Sequence, residues 1–213
     1  MKKKDNKILY KKLKLFFDFI FALLVLIFGL PFFIVICLLI KVSSKGPIFF
    51  YQKRIGRNNN TFNCIKFRTM HPNADYVLKN HLMKNNLLRQ EFEKTQKLKN
   101  DPRITKLGNF LRKTSLDELP QFINVIKMEM SIVGPRPIVA EEKLRYGENF
   151  KRVSSINPGI TGLWQVSGRN NLSYQERIKL DLKYVKNYNL LMDLSILIRT
   201  CGVILFPIDR GAY

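Results

Sequence analysis

From Phe19 to Ile40 the chain runs 22 residues without a formal charge. As a straight helix this stretch is about 33 Å long, close to the ~30 Å hydrocarbon core of a bilayer. It has no polar face, so it does not suit burial in a water-soluble core. It is too long for a secretory leader, and Ile40-Lys41-Val42-Ser43 offers no small-x-small cleavage site. A single spanning helix is the default reading, and two features oppose it. Pro31 lies mid-run, where it has no N–H to give and crowds the carbonyl of Ile27. A bend there leaves arms of roughly 18 Å and 14 Å, each too short to cross alone. Both flanks are also basic. Lys2, Lys3, Lys4, Lys7, Lys11, Lys12 and Lys14 precede the run, and Lys41, Lys45, Lys53, Arg54 and Arg57 follow it. The positive-inside tendency puts both ends on the cytoplasmic side. A helix that enters, breaks at Pro31 and returns satisfies both features and is favoured over a span.

Of the 213 residues, 37 are Lys or Arg and 16 are Asp or Glu, for a net charge of +21. The first 14 residues supply +6 and the rest +15, so the excess runs along the whole chain. Such a field attracts nucleic acid, acidic lipid or phosphorylated substrates, and charge alone does not choose among them. The length suits one domain with a real core. Cys37, Cys64 and Cys201 are odd in number and widely spaced, without a disulfide or zinc pattern. They read as small buried hydrophobes in a reducing compartment.

Pro47 to Gln52 and Thr61 to Arg68 read as strands of a hairpin around the polar turn Arg54 to Asn60. Asp75 to Lys99 reads as one or two surface helices, stopped by Asp101-Pro102. Ser115-Leu116-Asp117-Glu118 has the pattern of a capping box, with Phe122, Val125 and Ile126 following at helical spacing. Pro120 lets that helix start slide by several residues. Ser131 to Pro137 reads as a fixed loop, and Asn157 to Asn171 is Gly- and Asn-rich around the only tryptophan, Trp164. Ser173-Tyr174-Gln175-Glu176 is a second capping box, opening a helix toward Tyr188. Leu190 to Phe206 is apolar but carries Asp193 and Arg199, which suits an interfacial or core helix rather than a second span.

The adjacent acids Asp117 and Glu118 sit among cations. Acids in the first turn of a helix cap free N–H groups and favour the macrodipole, and by local pattern that suffices to explain them. Arg112 and Lys113 lie just upstream, however, and Gly134-Pro135-Arg136 just downstream. A helix N-terminus with nearby Arg is a natural phosphate site. An acid there needs a reason, because it repels the ligand. An Asp can attack phosphorus and form an acyl phosphate, and a carboxylate can hold Mg²⁺ against phosphate oxygens. Lys66 and Arg68 read equally well as an exposed alternation around Phe67 or as cations aimed at phosphates. Gly134-Pro135-Arg136-Pro137 is a rigid turn that would hold Arg136 with little entropy left to lose. His71 and His81 lack metal spacing and read as surface residues, and Trp164 suits packing or a membrane interface better than sugar binding.

Taken in order, these residues resemble the bacterial sugar transferase family, the monotopic polyprenyl-phosphate phosphoglycosyl transferases. Lys14 and Asp18 introduce the apolar segment that Pro31 interrupts. Ser44-Lys45-Gly46-Pro47-Ile48-Phe49-Phe50, Gln52-Lys53-Arg54-Ile55-Gly56 and Lys66-Phe67-Arg68-Thr69-Met70 follow. Then come Asp101-Pro102-Arg103-Ile104-Thr105 and Arg112-Lys113-Thr114-Ser115-Leu116-Asp117-Glu118-Leu119-Pro120-Gln121. The last are Met130-Ser131-Ile132-Val133-Gly134-Pro135-Arg136-Pro137 and Pro158-Gly159-Ile160-Thr161-Gly162-Leu163-Trp164-Gln165. Each is weak alone; the ordered set is specific and covers about residue 12 to the C-terminus.

The resemblance implies an α+β, mostly helical fold. It divides into a basic cytoplasmic tail (1–14), a re-entrant membrane helix broken at Pro31 (15–41) and a catalytic domain (42–213) with a β-hairpin and interfacial helices. It implies the bacterial inner membrane, with the catalytic domain on the cytoplasmic face. The implied donor is a UDP-sugar, the cofactor Mg²⁺ and the acceptor undecaprenyl phosphate; membrane lipid is a partner and nucleic acid is not. Asp117 would attack the sugar-side phosphorus and release UMP, and Glu118 would bind magnesium. Arg112 and Arg136 would hold phosphates, with Lys66, Arg68 and Gln121 as further phosphate-binding candidates. The product would be a lipid diphosphate sugar for exopolysaccharide, capsule or O-antigen assembly. Leu30 stands where some members have Ser before the proline, so the break rests on Pro31. Larger members carry an N-terminal multi-span bundle and a further domain, and this chain is expected to be the minimal catalytic form. The rival classes are a glycosyltransferase that releases UDP and a non-enzymatic basic lipid-binding module. The sugar and the oligomeric state stay open, a homodimer being one option.

Overall fold

The computed structural model describes residues 2–83, 88–90, 92, 98 and 100–205. Helix α1 covers Lys2–Ser43, with Pro31 inside it. Its segment Leu9–Ser43 is, among the described residues, the one helix long and apolar enough to cross a membrane. Only a narrow stripe of it is buried, at Asp18, Ala22, Ile36 and Ile40. Leu24, Ile27, Phe28, Leu30 and Phe32 point outward, Phe28 at 79% exposure. So many apolar side chains turned out of the protein call for a non-aqueous environment.

Strands β1 (Phe49–Ile55) and β2 (Thr61–Phe67) form an antiparallel hairpin with Phe49 opposite Phe67 and Ile55 opposite Thr61. The turn is therefore Gly56 to Asn60, shorter than the sequence suggested, and Arg54 belongs to the strand. The polar stretch that follows contains α2 (Ala74–Met83); much of the remainder, to Lys99, lies outside the described residues. Helix α3 (Lys106–Lys113) starts at Thr105, whose hydroxyl accepts from Gly108 N at 2.8 Å.

The expected capping box at Ser115 does not form. Ser115 sits in the left-handed region (φ 58°) and its side chain caps nothing. A 3-10 turn, Leu116–Glu118, follows, and the next α-helix, α4, begins only at Gln121 and runs to Ile126. The Glu118 carboxylate is thereby free of a capping role. Pro120 suits the junction because its fixed φ needs no N–H partner there.

Strand β3 (Ser131–Val133) opens the segment read as a loop. After the short helices α5 (Lys143–Tyr146) and α6 (Asn149–Val153), β4 (Gly159–Thr161) pairs with β3 in parallel, Ser131 beside Gly159 and Val133 beside Thr161. Gly134 N donates to Thr161 O at 2.9 Å, and Gly159 N donates to Pro135 O at 2.8 Å. A Cβ at Gly159 would collide with the Gly134 backbone, so glycine permits this approach. The second capping box forms as read: Glu176 N donates to Ser173 Oγ, and Ser173 N to Glu176 Oε2, opening α7 (Tyr174–Asn187). Helix α8 spans Leu190–Leu205. Cys64 is buried, whereas Cys201 is exposed, against the reading of all three cysteines as core. Trp164 is buried, as packing requires.

The main core joins Ala22 of α1 to Phe62, Val125, Met130, Val133, Tyr184 and Ile196. A second cluster sets Ile36 and Ile40, from beyond Pro31, on Phe67 and Leu111. Buried polar contacts fasten both ends of α1. Near its start, Tyr10 OH and Lys14 Nζ each lie 2.7 Å from Asp193 Oδ2, and Tyr184 OH donates to Asp193 Oδ1. Ser131 Oγ donates to Asp18. At its C-terminus, Arg68 Nη2 donates to Ser44 O at 2.7 Å and to Ser44 Oγ at 2.9 Å.

Candidate active site

A narrow cleft is lined by Arg54, Cys64, Lys66, Glu118, Gln121 and Arg136, with Pro137, Gly159 and Ile160 completing its wall. Asn124 sets the register of its two halves. Its side chain is fully buried. It accepts from Ile65 N at 3.0 Å and donates to Asn63 O at 2.8 Å and to Glu129 Oε2 at 2.6 Å. This one amide ties α4 to the edge of β2, so Lys66, at the end of that strand, faces the turn that carries Glu118. Lys66 Nζ donates to Glu118 Oε1 at 2.6 Å.

The third side is the β3–α5 segment. Arg54 Nη1 donates to Pro137 O at 2.9 Å, and Gln52 Oε1 takes the Arg54 Nη2 and Nε donors at 2.7 and 3.2 Å. The Arg136 guanidinium lies 5.9 Å from the centre of the Trp164 ring. With the close approach at Gly134 and Gly159, these contacts hold Arg136 at the cleft.

The two acids differ sharply. Burial alone would raise Glu118, but Lys66, Arg136 and Arg54 overcome it and hold the carboxyl down to about 2. Burial pushes Asp117 up, the neighbouring Glu118 adds to the rise, and Lys66 and Arg112 offset only part of it, leaving about 6. Glu118 is thus a fixed anion. Asp117 is a carboxylate at neutral pH that ionises with difficulty, and no salt bridge engages it among the described residues. A desolvated carboxylate of this kind has the character of a nucleophile.

The expected site residues are brought together unequally. Lys66, Glu118, Gln121 and Arg136 share the cleft, and Asp117 adjoins Glu118. Arg112 Nε donates to Thr69 Oγ1 at 2.9 Å, and its charge is felt at Asp117. Arg68 is separated from Lys66: the strand ends at Phe67, and Arg68 turns into the protein to hold the end of α1. Two further cations act here: Arg54 lines the cleft, and Arg169 lies in electrostatic reach of Glu118. Arg54 belongs by local pattern to the polar turn, but its alternation with Gln52 is a strand signal. Arg169 follows Gly168 with φ 53°, and Glu118 is its charged neighbour. Its Gly- and Asn-rich surroundings carry no periodicity to place it.

No three His, Cys, Asp or Glu side chains converge as a metal cage among the described residues. One or two carboxylates beside a phosphate site nevertheless suit Mg²⁺, which keeps waters and shares substrate phosphates. Glu118 Oε2 has no hydrogen bond among the described residues, so the donor set fits.

The profile of the bacterial sugar transferase family matches residues 9–207. The exopolysaccharide production protein ExoY of Sinorhizobium fredii is 46% identical over 197 residues, which is 92% of this chain and 86% of that protein. The undecaprenyl-phosphate galactose phosphotransferase of Salmonella typhimurium is 48% identical over 194 residues, 91% of this chain. The UDP-glucose:undecaprenyl-phosphate glucose-1-phosphate transferase of Escherichia coli is 37% identical over 191 residues, 86% of this chain. The chain spans 40% and 38% of those two longer relatives.

Proposed function

The chain belongs to the bacterial sugar transferase family, and on that premise we propose that it transfers a sugar 1-phosphate from a UDP-sugar to undecaprenyl phosphate. The carrying observation is the division of labour between two adjacent acids: Glu118 held ionised by cations, Asp117 desolvated and without a salt bridge among the described residues. A carboxylate oxygen of Asp117 attacks the sugar-side phosphorus, and the bond to the bridging oxygen breaks. UMP leaves with that oxygen and its electron pair, so no proton is consumed. A phosphate oxygen of undecaprenyl phosphate then attacks the same phosphorus, giving the lipid diphosphate sugar and returning Asp117 as carboxylate. Arg136, Arg54, Lys66 and Arg112 offset the phosphate charge and orient the diphosphate in line. Mg²⁺ on Glu118 would supply charge neutralisation at the departing phosphate.

The membrane part follows the same reading. Residues on both sides of Pro31 pack on one catalytic domain, Lys14 on Asp193 and Ile40 beside Phe67, while the middle of α1 is apolar and outward-facing. A straight crossing would separate these ends by the bilayer, ~30 Å. A re-entrant α1 keeps them on the cytoplasmic face of the inner membrane and puts the acceptor phosphate in the plane of the site. Loading of the lipid carrier is a first membrane step of glycan assembly of the exopolysaccharide, capsule or O-antigen type, and the names of two relatives, an exopolysaccharide production protein and an undecaprenyl-phosphate galactose phosphotransferase, support the exopolysaccharide case.

The released nucleotide tests the reaction. Membranes containing the protein, undecaprenyl phosphate and a panel of UDP-sugars should yield UMP. Release of UDP would indicate transfer of the sugar alone, and no release with any donor would indicate a binding module.

A further inference from the structure

Lys66 does not stand free for a phosphate. Its ammonium is 2.6 Å from Glu118 Oε1, with the two side chains only 16% and 21% exposed. The carboxylate read above as the metal ligand therefore already holds a cation. Arg136 and Arg54 add their fields at Glu118, and Arg169 is also in electrostatic reach of it. A bare divalent cation entering this cleft meets like charges and an oxygen already engaged in a short charge-assisted bond.

We propose that Lys66 is the resident counterion of Glu118, holding the metal position until a diphosphate arrives. Lys66 then exchanges partners: it leaves Glu118 for phosphate oxygens of the donor, and Glu118 becomes available to the divalent cation. The consequence is an order of binding. Metal enters with the donor rather than ahead of it, because only the donor's negative charge both draws Lys66 away and offsets the other cations.

The local structure suits such an exchange. The β2 backbone next to Lys66 is fixed by the bond from Ile65 N to Asn124, so the change is confined to the four-carbon stem. Side-chain rotation suffices, and the strand stays in place. The exchange also gives Lys66 work in both states, neutralising Glu118 in the empty enzyme and the diphosphate in the loaded one.

This inference rests on Glu118 being the metal ligand, and the experiment separates the two. Full-length protein in detergent is titrated with Mn²⁺ alone, free Mn²⁺ being counted by electron paramagnetic resonance. Lys66→Met should bind Mn²⁺ at least about tenfold tighter than wild type, the factor a hydrogen bond to a charged group is worth. Lys66→Ala should shift in the same direction, which guards against a folding defect of one variant. Arg136→Met removes another cation of the cleft that makes no bond to Glu118, and should tighten binding by much less. Lys66 variants that bind Mn²⁺ no better than Arg136→Met would overturn the exchange. The reading beneath it has its own control. Adding Glu118→Gln to Lys66→Met should abolish the gain, whereas tight Mn²⁺ binding that survives would remove Glu118 as the ligand.

Discussion

Asn124→Leu tests whether the cleft depends on the bond between α4 and β2. The replacement keeps the branched outline of four heavy atoms, so the buried space stays filled and the main loss is polar. Ile65 N is left buried without its 3.0 Å acceptor. An unsatisfied buried N–H costs about 1–3 kcal/mol. The other two partners suffer less, because Asn63 is exposed and Glu129 is half-buried, so both can turn to water. The expected total is about 2 kcal/mol, or roughly 4–8 °C in Tm for a chain of this size. Thermal unfolding in detergent measures this. The functional loss should exceed the stability loss, because Lys66 no longer faces Glu118 in register. At a temperature where the variant is fully folded, its rate of UMP release should fall by about tenfold or more, the effect of a small misplacement at a reacting site. A variant with wild-type Tm and wild-type rate would refute the role assigned to Asn124.

The remaining predictions concern protonation, backbone approach and the seating of α1. Asp117 is raised to about 6 and must be ionised to attack, so nucleotide release should fall on an acid limb near pH 6. Its raised value means that the folded state binds the proton more readily, so protonation through pH 6 to 4 relieves a buried charge. Glu118, held down to about 2, keeps its stabilising charge over that range. These two groups therefore predict acid loss of activity with the fold retained, and circular dichroism across the pH series checks it. Gly159→Ala should cost about 1–3 kcal/mol by forcing the Gly134 backbone away, and should lower turnover more than Tm as Arg136 shifts. Asp193→Asn weakens the partner of Lys14, Tyr10 and Tyr184. Asp18, 3.5 Å from Lys14, keeps part of the balance, so a loss of about 2–3 kcal/mol is expected in thermal unfolding.

Much of the architecture could be read from local pattern. The hairpin, the Ser173 capping box and the apolar helix each follow from short-range chemistry, and each is present. The Ser115 box failed because its signal, S-x-x-E, is blind to what Glu118 meets in space. Lys66, 52 positions earlier in the chain, takes the carboxylate instead, and Ser115 adopts a left-handed turn. Arg68 shows the same limit: two residues from Lys66, it serves the end of α1 because the strand stops between them. Arg54 lines the cleft from β1, where its alternation with Gln52 is the one local signal, and Arg169 comes within electrostatic reach of Glu118 from an irregular turn that has no sequence period. Asn124 is one of two amides in a short, mostly apolar helix, and only the β2 edge beside it discloses its purpose.

The central claim is that Asp117 carries the phosphosugar. Protein incubated with a UDP-sugar and Mg²⁺, without acceptor, should gain the mass of one sugar phosphate by intact-mass spectrometry. Peptide mapping should locate it on Asp117, undecaprenyl phosphate should remove it, and Asp117→Asn should show none. An adduct that persists in Asp117→Asn, or that maps to another residue, would contradict the account.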